Sequence, residues 1–334
     1  MQPQINIPTI PKDNAFNAVR LLLCLTVILT HTLEKVGITY QFLSGYVAVS
    51  GFFIISGFWV TKSYFCSANL KIFFTKRIKK ILPMYYISVV SFSLVCFCIS
   101  GLPASEYFGT EYFKYLLWNG VFLNFMQPSL PGCFDGTAVN GALWTIKIEL
   151  GFYIMLPLIL WLWGKTRSIS GKNALLIVLY LISMAYNIII NKYIGQSELP
   201  RQLGRQLPSF IPHFVTGMFI YLNWGIFIKI KNWLIFPCVA IFVLFYFTNM
   251  QAVFPAAFAV TIVWAALYFK KLNFIGRGID LSYGMYLFHY PLMQIIIHLT
   301  GGEVNIPLYI SSIIATSAAM AFITEKYVQK KIKP

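Results

Sequence analysis

Three ionisable residues stand inside segments otherwise too apolar to welcome them. Arg20 and His31 close the two ends of RLLLCLTVILTH, and Glu149 sits between ALWTIKI and LGFYIMLPLI. Each residue of an α-helix advances about 100° and 1.5 Å, so His31 returns to within about 20° of Arg20, roughly 16 Å along the same face. A charge inside a membrane span costs about 2.5–3.5 kcal/mol on insertion scales and normally faces a bundle interior or a water-filled cavity. An interior histidine paired with an interior carboxylate is the arrangement of a general base and its orienter, so His31 and Glu149 are the candidate catalytic residues. Lys147 lies two positions from Glu149, on a different helix face, and is not its natural helical partner. The bland reading sends Arg20 and His31 along their own stems to opposite membrane surfaces.

Three further stretches carry chemistry-bearing residues. NLKIFFTKRIKKILPMYY (69–86) places Lys76, Arg77, Lys79 and Lys80 immediately before an apolar run. Such a cluster either flanks a span against anionic lipid or docks a polyanionic ligand such as a nucleotide-bearing acyl donor. GYVAVSGFFIISGFWV (45–60) holds Gly45, Ser50, Gly51, Ser56 and Gly57, small residues that allow helices to approach closely. In GIDLSYGMYLFHYPLM (278–293), Asp280 is placed to cap a helix and His289 to satisfy a carbonyl freed by Pro291. His213 and His298 have weaker claims. The six cysteines, Cys24, Cys66, Cys96, Cys98, Cys133 and Cys238, match no zinc spacing, only Cys133 falls in an outer loop, and they read as small apolar packing residues, not disulfides or ligands, so no metal is expected.

The elements that must position these residues follow from composition. Of 334 residues, 58% are hydrophobic and 11% charged, far below the roughly 25% charged of soluble domains. Apolar runs near twenty residues recur along the whole chain, which predicts an all-α, polytopic membrane protein. Ten spans are expected, at 16–34, 46–65, 81–100, 142–163, 173–190, 207–224, 233–248, 252–269, 281–299 and 306–323. The aromatic stretch 107–125 carries Glu111 and Lys114 and reads as an interfacial or re-entrant element. The first span follows a polar leader and ends at His31 and Glu34 without a small-residue cleavage pattern, so it is not read as a cleaved signal.

A net charge of +16 raises nucleic acid as a partner, but the distribution of the charges argues for a membrane. With the N-terminus inside, inner segments hold Lys12, Lys62, Lys71, Lys76, Arg77, Lys79, Lys80, Lys165, Arg167, Lys172, Lys229, Lys231, Lys270, Lys271, Arg277, Lys326, Lys330, Lys331 and Lys333. Outer segments hold only Lys35, Lys114, Lys192, Arg201 and Arg205. The positive-inside rule then places both termini in the cytoplasm. The chain reads as one integral membrane domain (1–334), with a short leader (1–14), a short tail (324–334), a basic inner loop (62–80) and a turn-rich outer loop (101–141).

Taken in order, Arg20-x10-His31, Ser56-Gly57-Phe58, KRIKKILPMYY, LWTIKIELGFYIMLP and LSYGMYLFHYPL resemble the acyltransferase family 3 membrane proteins over nearly the whole chain. The resemblance implies ten spans and transfer of an acyl group from cytoplasmic acyl-CoA to a hydroxyl, usually on a glycan, at the outer side. It implies a catalytic role for His31, with Arg20 matching the arginine before it and Glu149 the glutamate of the Trp–Ser-type motif. Lys76, Arg77 and Lys80 match an Arg-Arg-x-x-Arg-type run. Two of those positions are lysine here, keeping the charge but losing the bidentate fork. The resemblance is to members without an added extracytoplasmic hydrolase-like domain. On this reading the protein is an inner-membrane O-acyltransferase, most readily an O-acetyltransferase. Acetyl-CoA or another acyl-CoA is the co-substrate, held by Arg20, Lys76, Arg77, Lys79 and Lys80. A cell-surface glycan or lipid-linked sugar accepts the group, and membrane lipids are the other partner. Asp135, Trp118, Arg201 and Arg205 are outer-loop residues available to a sugar. The alternative is a transporter or flippase for a lipid-linked sugar, a class often built from internal repeats; none is visible here.

Overall fold

The computed structural model describes residues 8–39, 44–193, 195, 197–248 and 252–332, without the side chains of 246–248. Residues 1–7 of the expected leader and 333–334 of the expected tail lie outside the described residues. The described chain is helical, with no strand among the described residues.

Each of the ten apolar segments forms a helix. These are α1 (Phe16–Lys35), α2 (Gly45–Phe65), α3 (Leu70–Ile99), α6 (Trp144–Lys165), α7 (Ile169–Tyr193), α9 (Leu207–Leu222), α10 (Trp224–Thr248), α11 (Phe254–Tyr268), α12 (Ser282–Leu299) and α13 (Ile306–Thr324). Between them lie three short helices: α4 (Ala104–Tyr107), α5 (Thr110–Gly120) and α8 (Glu198–Gly204). Among the described residues, seven helices are long and apolar enough to cross a membrane: α1, α2, α3, α6, α7, α10 and α13 with its extension to Ile332. The other three expected spans fall short for physical reasons. At 1.5 Å per residue, α9 (16 residues) and α11 (15 residues) reach only about 24 and 22 Å, against a hydrocarbon core of about 30 Å. The 18 residues of α12 include two serine or tyrosine hydroxyls near its start, a buried histidine and a buried glutamine.

The basic inner loop is not a loop over most of its length. With α2 ending at Phe65 and α3 beginning at Leu70, Lys71 to Lys80 are helical. Lysine and arginine are good helix formers, and the Asn69 side chain starts the helix by accepting from the Ile72 N–H at 2.9 Å. The resulting 30-residue α3 is about 45 Å long, so its basic first turns extend beyond an apolar layer. The 107–125 stretch contains α5, an 11-residue helix too short to span.

The chain divides into two compact units. One comprises 1–20, 49–74 and 148–275, the other 21–48, 75–147 and 276–334. The first is knit by α2 crossing α9 at backbone contact. A Cβ added to Gly57 would lie 2.0 Å from the Phe214 carbonyl oxygen, and one added to Gly217 would lie 2.0 Å from that of Ile54. The small residues of α2 thus do the packing work their size suggests. Around this crossing, Phe152 stacks on Phe214 at 4.3 Å and Phe53 meets Phe210 edge-on at 5.1 Å. In the second unit, α12 packs on α13, and a Cβ on Gly284 would meet that of Ala321 at 2.6 Å. Two of the short helices, α4 and α5, dock on α3 through tyrosines: Tyr107 donates to the Ser93 carbonyl (2.6 Å) and Tyr85 to that of Asn119 (2.8 Å).

Candidate active site

In the second unit, His31 of α1 meets His289 of α12. Nδ1 of His31 and Nε2 of His289 are 2.9 Å apart, with the rings inclined by only 5°. Tyr290 stands edge-on to His31, ring centroids 5.3 Å apart. The other nitrogen of His289, Nδ1, lies 2.7 Å from the Tyr286 carbonyl and 3.3 Å from that of Met285. A carbonyl only accepts, so this nitrogen carries a proton. His289 is fully buried and is held neutral by the cost of burying an unpaired charge, so its Nε2 accepts. The proton between the rings therefore belongs to Nδ1 of His31, and the lone pair of His31 is on Nε2. A chain of two imidazoles ending at a helix carbonyl fixes the tautomer of the first, the arrangement a general base or a nucleophile requires.

Proline explains how α12 can hold this geometry. Pro291 has no N–H to give the carbonyl four residues back, that of Leu287. Asn140 donates to this carbonyl at 2.8 Å and Ser88 at 3.3 Å. The freed acceptor is therefore met from α3 and from the segment before α6, while His289 takes the neighbouring carbonyls. The same segment is laced to α12 elsewhere. Tyr286 Oη donates to the Ala142 carbonyl (3.1 Å) and lies 2.8 Å from Thr145 Oγ1. Gln294 donates to Thr137 Oγ1 and to the Ala138 carbonyl, both at 2.9 Å. Gly141 passes so close to Tyr290 that a Cβ would lie 2.6 Å from the ring. Asp280 accepts from the Ser282 N–H at 3.1 Å and hydroxyl at 2.6 Å, but it stands one residue before the N-cap expected of it, a position Leu281 occupies.

In the first unit, Ser56 of α2 donates to Glu149 Oε1 of α6 at 2.5 Å. A carboxylate in an apolar helix needs such a donor, and the serine about three helical turns into GYVAVSGFFIIS supplies it. Arg20 of α1 donates to Asn17 Oδ1 at 3.4 Å. Lys147 places its ammonium 4.8 Å over the Phe125 ring. Lys76, Arg77, Lys79 and Lys80 ride half-buried on the first turns of α3. The Lys80 carbonyl accepts from Gln329 and that of Ile81 from Tyr283, both at 3.0 Å. Lys76, Lys79 and Lys80 share a face by their spacing. His213 is a core histidine, packed against Phe210 and Phe254, and His298 lies edge-on to Phe134.

Thus His31 and Glu149 each have a partner, His289 and Ser56, that spacing along the chain did not assign. His289 was expected to satisfy the carbonyl that Pro291 frees; that carbonyl, of Leu287, is met by Asn140 and Ser88 instead, and His289 takes those of Tyr286 and Met285. Asn140 and Gln294 were missed, although an asparagine in a turn before one helix and a proline inside another are matching signals of an orphan donor and an orphan acceptor.

A family model described as an acyltransferase domain matches residues 13–325. The chain belongs to acyltransferase family 3. Among curated relatives, nodulation protein 10 of Rhizobium leguminosarum bv. viciae is 25% identical over 255 residues, covering 71% of this chain and 69% of that protein. An O-acetyl transferase of Shigella phage Sf6 is 22% identical over 307 residues, 86% of each chain. No solved structure matches. This acyltransferase family 3 protein is accordingly a multi-pass membrane enzyme of the O-acyltransferase class.

Proposed function

We propose that the protein is an O-acetyltransferase of the cytoplasmic membrane, taking an acyl group from cytoplasmic acyl-CoA and passing it to a hydroxyl of a cell-surface glycan or lipid-linked sugar. The observation that carries this reading is the His31–His289–Tyr286 chain, which puts the lone pair of His31 on Nε2. As a base, Nε2 takes the acceptor's hydroxyl proton while the oxygen attacks the thioester carbonyl. The carbon–sulfur bond then breaks and the CoA thiolate leaves with that proton. As a nucleophile, the same lone pair first carries the acyl group and the hydroxyl then removes it; both routes use one nitrogen. Glu149, held by Ser56, is assigned with His31 to the catalytic machinery. Arg20, Lys76, Arg77, Lys79 and Lys80 are assigned to the donor's phosphates, where compact ammonium charges act as point attractors. The name of the phage relative supports acetyl as the group moved. The asymmetry of basic residues supports ten passes with both termini in the cytoplasm.

The test is mass spectrometry of surface glycans and lipid-linked sugars from cells carrying the wild-type protein, the His31→Ala protein or none. An acyl ester of defined mass is expected with the wild type alone. The same ester in His31→Ala cells would overturn the assignment. Glycans that change in amount but never in acylation would point to transport instead.

A further inference from the structure

Two cysteines stand where the fold brings separate segments into contact outside the catalytic set. Cys96 is one turn from the end of α3, and Cys133 lies in the 101–141 loop. Both are almost wholly buried, at 1% and 2% exposure. The Cys133 thiol donates to the Cys96 carbonyl at 3.2 Å. Their approach is forced by the residue next door. Gly132 has φ +67°, and a Cβ there would lie 2.8 Å from the Ser100 carbonyl oxygen, so the loop rests directly on the end of α3. A left-handed φ with no room for a side chain leaves glycine as the residue for that position.

We infer that Cys96 and Cys133 are a disulfide site, and that the bridge clamps the 101–141 loop to α3. The inference goes beyond the acyl-transfer reading and rests on one part of it, the outward placement of this loop, because disulfides persist in oxidising compartments. The first attack comes from Cys133, the thiol on the loop that has yet to dock. Its thiolate attacks an external disulfide, forming a mixed disulfide and releasing one thiol. The Cys96 thiolate then attacks Cys133 Sγ and releases the second thiol. The two protein thiols are oxidised and the external disulfide is reduced to two thiols. Burial dictates that this happens as the loop docks during folding. The clamp matters to the site because the same loop supplies Thr137, Ala138 and Asn140 to α12, the helix of His289.

The protein is isolated with all thiols alkylated at lysis and digested without reductant. A second sample is reduced, unfolded, refolded with oxidised glutathione and digested the same way. The expected result in both is a linked pair of peptides containing Cys96 and Cys133, absent from Cys96→Ser and Cys133→Ser proteins. Cys98, two residues away and exposed, should carry the alkyl group throughout. Full alkylation of Cys96 and Cys133 in both samples overturns the site. A link found only after added oxidant overturns the bridge in the cell, and a reporter inserted in 101–141 then assigns that failure to topology. The His31→Ala comparison is independent of either outcome.

Discussion

Replacing His289 by phenylalanine keeps the ring's volume but deletes both nitrogens. The Tyr286 carbonyl keeps its helix partner, because residue 290 retains an N–H. Nδ1 of His31, however, loses the acceptor now 2.9 Å away. A fully buried donor left without its acceptor costs about 1–3 kcal/mol; His31 is half-buried, so the loss of kcat should fall toward the lower end of roughly 5- to 150-fold, at 1.36 kcal/mol per tenfold. Glutamine is the informative second variant. Its Oε1 reaches about as far as the Nε2 of histidine and can accept the same proton, so His289→Gln should recover most of the loss. Release of free CoA thiol from acetyl-CoA by membranes holding equal amounts of each protein is the assay, with KM for the donor recorded beside kcat. The loss should fall on kcat, since His289 positions His31 and does not hold the donor. Full turnover by His289→Phe would refute the imidazole chain. So would a glutamine variant as slow as the phenylalanine one, at equal expression.

Three further outcomes are expected. Changing Lys76, Arg77, Lys79 and Lys80 together to glutamine should raise the acyl-CoA KM with little effect on membrane insertion, and added salt should weaken wild-type binding; an unchanged KM would reduce the run to a topology signal. Glu149→Gln and His31→Ala should each lower turnover, the latter by about 10²–10⁴-fold. Their double variant should lose far less than the product of the two losses if they act as a unit, and multiplying losses would give them separate tasks. Gly217→Ala should destabilise the fold by about 1–3 kcal/mol as overpacking does, because its new methyl would fall 2.0 Å from the Ile54 carbonyl oxygen; thermal unfolding in detergent at the wild-type midpoint would contradict the α2–α9 crossing.

Which parts were legible in advance depends on whether the signal is local. Apolar runs between breakers appear as helices wherever they were expected, since a backbone without water must satisfy itself within its own segment. The start of α3 was obscured by its charge. Lys71 to Lys80 look like a solvated loop, yet lysine and arginine carry no backbone penalty and Asn69 caps the turn. That 107–125 is a poor span was readable from its charges, and its helix α5 is only 11 residues long.

The sequence by itself determined that this chain is a bundle of apolar helices, and that Arg20, His31 and Glu149 are the costly groups within it. Both follow from transfer free energies, which attach to residue types and short segments. Only the tertiary structure decided the partners. His31 and His289 are 258 positions apart, Asn140 and Leu287 147, and Ser56 and Glu149 93. No periodicity links such positions. A hydrogen bond needs its atoms within about 3 Å and suitably directed, and close backbone approaches, between helices at Gly57 and Gly284 and of a loop at Gly132, set such distances.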